Sequence, residues 1–347
     1  MVMPTKRGNP AAVAKPFTRR CSIWVNDAPA HGASLATSAP MVQSPKPENA
    51  QRVDVCVCTF RRESVVDLIA SLARLELPQG TAIRVIIADN DETPSARTRV
   101  EAALADHHLD GVYLHAPARN ISIARNACLN AATAPLVAFV DDDEIVRPDW
   151  LARLLARHAE TGAAVVFGRV AAVYPKDAPA WLSRADLHST QVQFRNGAID
   201  GGYTCNVLMR RETIGADRFN PAFGRTGGED TTFFTELQRR GAVMAYAADA
   251  VVEEPVTAGR SSLKWLTTRS FRSGQTYGLL RLSKGEGRFK VAAISLAKVA
   301  ICIAAVVLTI WSPVRWRKAA VRAHLHAGVL AAAMGKAPLE LYGAAHA

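Results

Sequence analysis

The 347-residue chain is 49% hydrophobic with 21% charged residues, which excludes a disordered protein and leaves room for one large domain with an appendage. Its six cysteines (Cys21, Cys56, Cys58, Cys128, Cys205, Cys302) are scattered without metal spacing, which points to reduced core thiols rather than a disulfide framework. The formal net charge of +11 is local: residues 258–347 hold 14 Lys and Arg against 2 Glu, and residues 1–257 hold 28 against 29 acids.

Residues 1–50 are rich in Pro, Ala, Ser, Lys and Arg and lack a continuous apolar segment, so a flexible N-terminal tail is expected in place of a secretory signal. A transit peptide is the weaker alternative, because several prolines break an amphipathic helix. A strand is expected over residues 53–58, then the polar turn Thr59-Phe60-Arg61-Arg62 and a helix over about 64–75. A second apolar run, residues 83–88, ends in Asp89-Asn90; a polar helix and a short strand over 112–114 follow. Beyond Arg119-Asn120 a helical pattern reaches about residue 131, and the strand 136–140 comes next. Strands that are apolar throughout and alternate with helices predict an α/β fold with a mostly parallel sheet covered on both faces. In such sheets ligands bind beyond the carboxyl ends of the strands, and those ends carry Thr59, Asp89 and the acids after residue 140.

The strand 136–140 runs directly into Asp141-Asp142-Asp143-Glu144. Four adjacent carboxylates repel one another, so their position at the mouth of a buried strand favours a cation or a positive ligand that collects the charge. Asp oxygens are hard ligands with no His or Cys cluster nearby, which implies Mg2+ or Mn2+ rather than zinc. A solvated acidic loop is the alternative. On extended backbone, Asp142 is expected to face away from Asp141 and Asp143.

The second half is less regular, with strands expected over 165–173 and 204–209. A helix opened by Gly227-Gly228-Glu229-Asp230 runs through residue 237 and stops at Gly241. Acids in its first turn read equally as caps for the free N–H groups and as functional carboxylates. Residues 291–311 then form a 21-residue apolar stretch broken by Lys298 and flanked by Arg288, Lys290, Arg315, Arg317 and Lys318. That length covers the roughly 30 Å of a bilayer core. Cations on both flanks fit a helix lying in the interface or a re-entrant hairpin with residues 327–334, and they favour membrane contact over the third reading, a buried soluble helix. Anionic lipid is favoured over nucleic acid as the partner of this region, which has no zinc, RRM or helix-turn-helix signature, and each Lys or Arg near such a surface contributes roughly 1 kcal/mol.

Taken in order, Thr59-Phe60-Arg61-Arg62, Asp89-Asn90, Asn120 with Ala124-Arg125-Asn126, Asp141-Asp142-Asp143, Asn206 before Arg210-Arg211, and Glu229-Asp230 resemble the family 2 glycosyltransferases over residues 51–275. With Arg269-Ser270-Phe271-Arg272-Ser273-Gly274, the chain is most similar to the non-processive, succinoglycan-type exopolysaccharide glucosyltransferases. The resemblance implies a GT-A fold over residues 51–262, followed by a basic, helical, membrane-associating region over 263–347. It also implies inverting, metal-dependent transfer of a hexose, here glucose, from a UDP-sugar to a lipid-linked saccharide at the cytoplasmic face of the membrane.

The same resemblance implies residue roles. Thr59, Arg61 and Asp89 would surround the nucleobase and ribose, with Asp89 accepting from the uracil imino group. Asn120, Arg125 and Asn126 would lie near the diphosphate or ribose. Asp141 would approach the ribose or the metal's hydration shell, and Asp143 would ligate the metal, with Asp142 in an open supporting role. Asp230 would be the base for the acceptor hydroxyl, oriented or supported by Glu229. The chain departs from the family where relatives carry a His after the last core strand and it reads Glu253-Glu254, and the processive Gln-x-x-Arg-Trp motif is absent. Among rival readings, a dinucleotide oxidoreductase lacks its Gly-x-Gly-x-x-Gly turn after the first strand, and a phosphohydrolase lacks clustered His. A non-catalytic membrane-bound sugar-binding protein is the remaining alternative, and it would not need both Asp143 and Asp230.

Overall fold

The computed structural model describes residues 51–339; the expected tail over residues 1–50 lies outside the described residues. In chain order, the first half builds β1 (Gln51–Thr59), α1 (Val65–Leu72), β2 (Thr81–Asp89), α2 (Arg97–Asp106), β3 (Gly111–His115), α3 (Ile121–Ala131) and β4 (Leu136–Val140). The second half adds β5 (Ile145–Val146), α4 (Trp150–Thr161), β6 (Val165–Val173), α5 (Ala180–Ala185), the ribbon β7 (Phe194–Arg195) and β8 (Ala198–Ile199), β9 (Asn206–Arg210), α6 (Arg211–Ile214), α7 (Glu229–Arg239) and β10 (Met244–Pro255). Three helices follow: α8 (Leu263–Ser283), α9 (Arg288–Leu308) and α10 (Arg315–Ala333).

Eight strands form one sheet in the order β3-β2-β1-β4-β9-β6-β10-β5. The period-2 alternation of β1 feeds both faces: Val53, Val55 and Val57 enter the core under α1, α2 and α4, whereas Cys56 and Cys58 enter the core under α3 and α7. The sheet is mostly parallel, but β9 runs antiparallel to both β4 and β6, and β5 runs antiparallel to β10. An apolar run specifies burial and not direction, so the expected parallel pattern holds for β1 to β4 and is broken where β9 is inserted.

Asn206 locks that insertion. Its Oδ1 accepts from the Trp150 indole at 2.8 Å, and its Nδ2 donates to the carbonyls of Arg169 and Ala250, each at 2.9 Å. The carbonyl of Ala250 is free for this because β10 shifts register between Ala247 and Val251. Glu253 and Glu254 therefore lie within the last strand, not after it, on opposite faces.

Strand order reverses at β1, whose neighbours are β2 and β4, and the carboxyl ends of these three strands define one crevice. The region beyond residue 262 is not detached from it: α8 packs over the start of α7, where a Cβ on Gly228 would stand 2.2 Å from Thr276. Helix α10 lies along α8, with Ser270 Oγ donating to the Val321 carbonyl at 2.8 Å, and α9 returns antiparallel to α10, with Arg288 Nε donating to the Ala333 carbonyl at 3.0 Å.

Candidate active site

At the end of β4 the backbone leaves the extended conformation and closes a turn in which Glu144 N–H donates to the Asp141 carbonyl at 3.2 Å. Glu144 is buried and its Oε2 accepts from Asp141 N–H at 2.9 Å. Burial, reinforced by the charge of Asp141, pushes its carboxyl well above the usual range, against the hydrogen bond from Asp141 N–H.

The turn also cancels the expected alternation. Asp142 and Asp143 do not face apart; Arg62 Nη1 bridges them, at 2.8 Å and 2.6 Å respectively. Asp142 is buried, and desolvation, opposed by Arg62, raises its pKa to about 7. Its Oδ2 and the hydroxyl of Thr59 are both enclosed without a well-aligned hydrogen bond, although the hydroxyl contributes slightly in favour of the carboxylate. Asp143 keeps 20% of its side chain accessible and also meets Arg260 at 3.2 Å, which pairs in turn with Glu254 at 2.7 Å. Asp141 opens to the cleft with 44% of its side chain accessible, 3.9 Å from Arg125. Its pKa is raised, first by desolvation, with Asp143 adding repulsion that Arg125 opposes.

Arg125, buried on α3, is the hinge of the site. It pairs with Glu229 at the start of α7 and lies 5.6 Å from the Phe219 ring centroid. Burial works against its charge, but Glu229, Asp141 and Asp230 outweigh burial and raise its pKa. Helix α7 opens at Gly228, whose φ of 100° suits glycine and which supplies no side-chain cap. Glu229 therefore does not cap the helix, one of its two readings; it turns to Arg125. Asp230 does accept an N–H, that of Thr231 at 2.6 Å. Desolvation and then the neighbouring Glu229 push its pKa up to about 6, against Arg125. Asp230 thus carries a raised pKa even though it accepts a helix N–H.

Asp141, Arg125, Glu229 and Asp230 line a cleft of about 350 Å³, closed on another side by Arg269, Arg272 and Tyr277 of α8. The other expected residues divide. Thr59 stands beside the acid turn. Asp89 is fully buried and already occupied, accepting from Asp91 N–H, Ala96 N–H and the Tyr113 hydroxyl at 3.0, 2.9 and 2.7 Å. Those bonds hold the turn after β2 and occupy three of the acceptor positions of the carboxylate. Asn120 caps α3 and donates to the Pro221 carbonyl at 2.9 Å, and a Cβ on Gly224 would strike its Oδ1. Asn126 exchanges two hydrogen bonds of 2.8 Å with the Phe219 backbone, so it splices α3 to the segment before α7 instead of facing a ligand.

Arg61 adopts φ 56° and turns outward to Asp91 at 2.8 Å, leaving the neighbouring Arg62 to reach the acids. Arg62, Arg260 and the α8 arginines have no role in the sequence reading, whereas Glu254, one of the two acids standing where relatives carry a His, reaches the site through Arg260. Two adjacent arginines in a turn, and Arg269 and Arg272 at i, i+3 spacing, are the signals that would have found them.

Among the described residues, no three His, Cys, Asp or Glu converge as a ready-made metal cage. The donor set still fits a magnesium-type ion, which takes one or two carboxylates and completes its shell with water and substrate phosphate. Asp143 and Asp141 are the partly accessible oxygens of the turn, and the unpartnered Oδ2 of Asp142 lies behind them.

Comparison with known proteins places this geometry. The model of glycosyl transferase family 2 matches residues 54–215. The succinoglycan biosynthesis protein ExoM of Rhizobium meliloti (strain 1021) is 44% identical over 302 residues, covering 86% of this chain and 98% of its own. A glucosyl-dolichyl phosphate glucuronosyltransferase of Haloferax volcanii is 25% identical over 256 residues, 67% of this chain and 78% of its own. Among solved structures, the mannosyltransferase PcManGT from Pyrobaculum calidifontis, in complex with GDP-Man and Mn2+, matches with a TM-score of 0.58 at 18% identity, covering 85% of this chain and 90% of that one. The likeness establishes the GT-A fold.

Proposed function

The chain belongs to glycosyl transferase family 2, and from that premise we propose that it transfers one hexose, glucose, from a UDP-sugar to a lipid-linked saccharide, with inversion, at the cytoplasmic face of an anionic membrane. The pathway of the 44% identical relative supports exopolysaccharide biosynthesis as the setting. The observation that carries the reading is the placement of Asp230, with its pKa near 6, on the same cleft as Asp141. A general base is most effective when its pKa lies close to the working pH.

In this reading the acceptor hydroxyl attacks the anomeric carbon. Its proton passes to Asp230, the bond from that carbon to the diphosphate oxygen breaks, and the nucleoside diphosphate leaves. Attack from the face opposite the nucleotide inverts the anomeric centre. Mg2+ or Mn2+ held by Asp143 and Asp141 would supply charge neutralisation on the leaving diphosphate. Arg62 and Arg260, already beside Asp143, add permanent cations suited to phosphate oxygens. Glu229 fixes Arg125, whose charge acts on both acid segments. Thr59 and the turn held by Asp89 shape the nucleotide end.

A panel of nucleotide sugars, assayed for UDP release with membrane acceptor, tests the reading. UDP-glucose is expected to be turned over only with divalent metal, and Asp143→Ala and Asp230→Asn are each expected to lower turnover by about 10²-fold or more. Full activity in both variants would falsify the assignment, and tight UDP binding without turnover of any donor would favour a binding protein.

A further inference from the structure

We infer that α9 and α10 form a hairpin that lies flat on an anionic lipid leaflet, with the outer face of α9 sunk in the headgroup boundary and neither helix crossing the bilayer. The inference deepens the membrane partnership proposed above and does not depend on the chemistry of transfer. Helix α9 is long and apolar enough to cross by length and composition. Its surroundings argue for a different placement.

Only a narrow stripe of α9, including Val291, Ser295 and Cys302, is buried. Phe289, Leu296, Ile301, Val307, Leu308 and Trp311 are 58–94% exposed. Phe289 and Val307 are about five turns apart at 3.6 residues per turn and share one face; Lys298, midway between them, falls half a turn round, on the side of Ser295 and Cys302. The single charge within the apolar run therefore points away from the centre of the exposed apolar face. Residues 288–339 carry eight Lys or Arg and no acid, so the patch is ringed by the charge that anionic headgroups complement.

The hairpin is also fixed to the catalytic body along its length. Glycines let α10 and α8 touch backbone to backbone: a Cβ on Gly274 would meet the Leu325 carbonyl at 1.9 Å, and one on Gly328 would meet the Phe271 carbonyl at 1.9 Å. At the hairpin tip, the Arg317 guanidinium lies 4.8 Å from the Trp181 ring centroid on α5. At its base, Gln275 on α8 donates to the Ala337 carbonyl at 2.9 Å and accepts from Leu339 N–H at 3.0 Å. Helix α10 thus cannot leave α8 without breaking both ends, and α9 runs antiparallel against it. A crossing α9 would draw in the middle of α10 as well, where His326 is depressed by burial and by the nearby charges of Lys298 and Arg322. Two permanent cations, Lys298 and Arg322, without an acid at mid-depth oppose crossing. Because α8 also lines the cleft, the flat hairpin holds the acceptor side of the site at a set height over the lipid surface.

The test uses the full chain and vesicles of phosphatidylglycerol with phosphatidylcholine. Flotation is expected to show binding at least tenfold weaker to pure phosphatidylcholine, and a tenfold or greater loss in the double variant Leu296→Glu, Val307→Glu. UDP release with a soluble acceptor analogue is expected to be unchanged in that variant, which separates failure of docking from failure of the catalytic reading and reports folding. A Ser312→Cys variant bound to sealed vesicles is expected to react fully with a membrane-impermeant maleimide added from the protein side. Protection of that cysteine would show a crossing hairpin and overturn the inference. So would undiminished vesicle binding by the double variant, or a dimer joined through α9 that ignores vesicles.

Discussion

The chain places acids on its cleft twice, in the turn after β4 and at the start of α7, and the two segments are built oppositely. In the turn, Asp142 and Asp143 are met by Arg62 and Arg260, whose side chains are 36% and 26% accessible and can exchange one oxyanion for another. At α7, Glu229 is met by Arg125, 8% accessible and pinned under Phe219. Exchangeable partners suit a segment that must accept a cation and phosphates and release them. A fixed partner suits a segment that must hold one base at one pKa. The same residue type therefore serves two ends because burial of its counter-charge differs.

The largest expected effect is on Asp230. Asp230→Asn should lower turnover by about 10³-fold, within the range for loss of a general base, with little change in stability; nucleotide release and thermal melting measure the two. A loss under tenfold would place the base elsewhere. Next, Glu229→Gln should leave Arg125 without its buried partner and cost about 3–5 kcal/mol in a urea titration. A cost below about 1 kcal/mol would mean that Asp141 alone sustains Arg125, and the contrast between fixed and exchangeable partners would weaken.

The pH dependence comes third. With Asp230 raised to about 6, kcat/KM should climb as pH rises through 6 and level off above it, and Asp230→Asn should flatten that limb. The smallest effect is on stability through Asp142. Its folded pKa, about 7, lies above the ordinary 3.8, so its contribution to folding is full below the ordinary value and is lost as pH rises through 7. Asp142→Asn should therefore gain stability relative to the parent chain as pH rises from 4 to 8, as read by urea unfolding.

Much of this was legible in the chain. The first four strands, the exits at Thr59 and the acid run, and the opening of α7 follow from apolar runs and punctuation. The direction of β9 did not, because burial on both faces looks alike in either sense. Strand β10 was hidden by its own register shift, which breaks the period-2 pattern between Ala247 and Val251. Choosing between Arg61 and Arg62 needed the positive φ of Arg61. Asp89 and Asn126 carry functional groups suited to ligands, but their partners, Tyr113 and Phe219, stand 24 and 93 residues away, beyond what spacing reveals.

The ion pair between Arg125 and Glu229 spans 104 residues. Such a closure pays its loop entropy before it stabilises anything, and it cannot form until α7 has been made. The nucleotide end is built from β1 to β4, the earlier part of the described chain, and is made before α7. A chain caught before the pair closes would hold the acid turn without its base, so the growing polypeptide would present a nucleotide crevice that cannot yet spend a donor sugar.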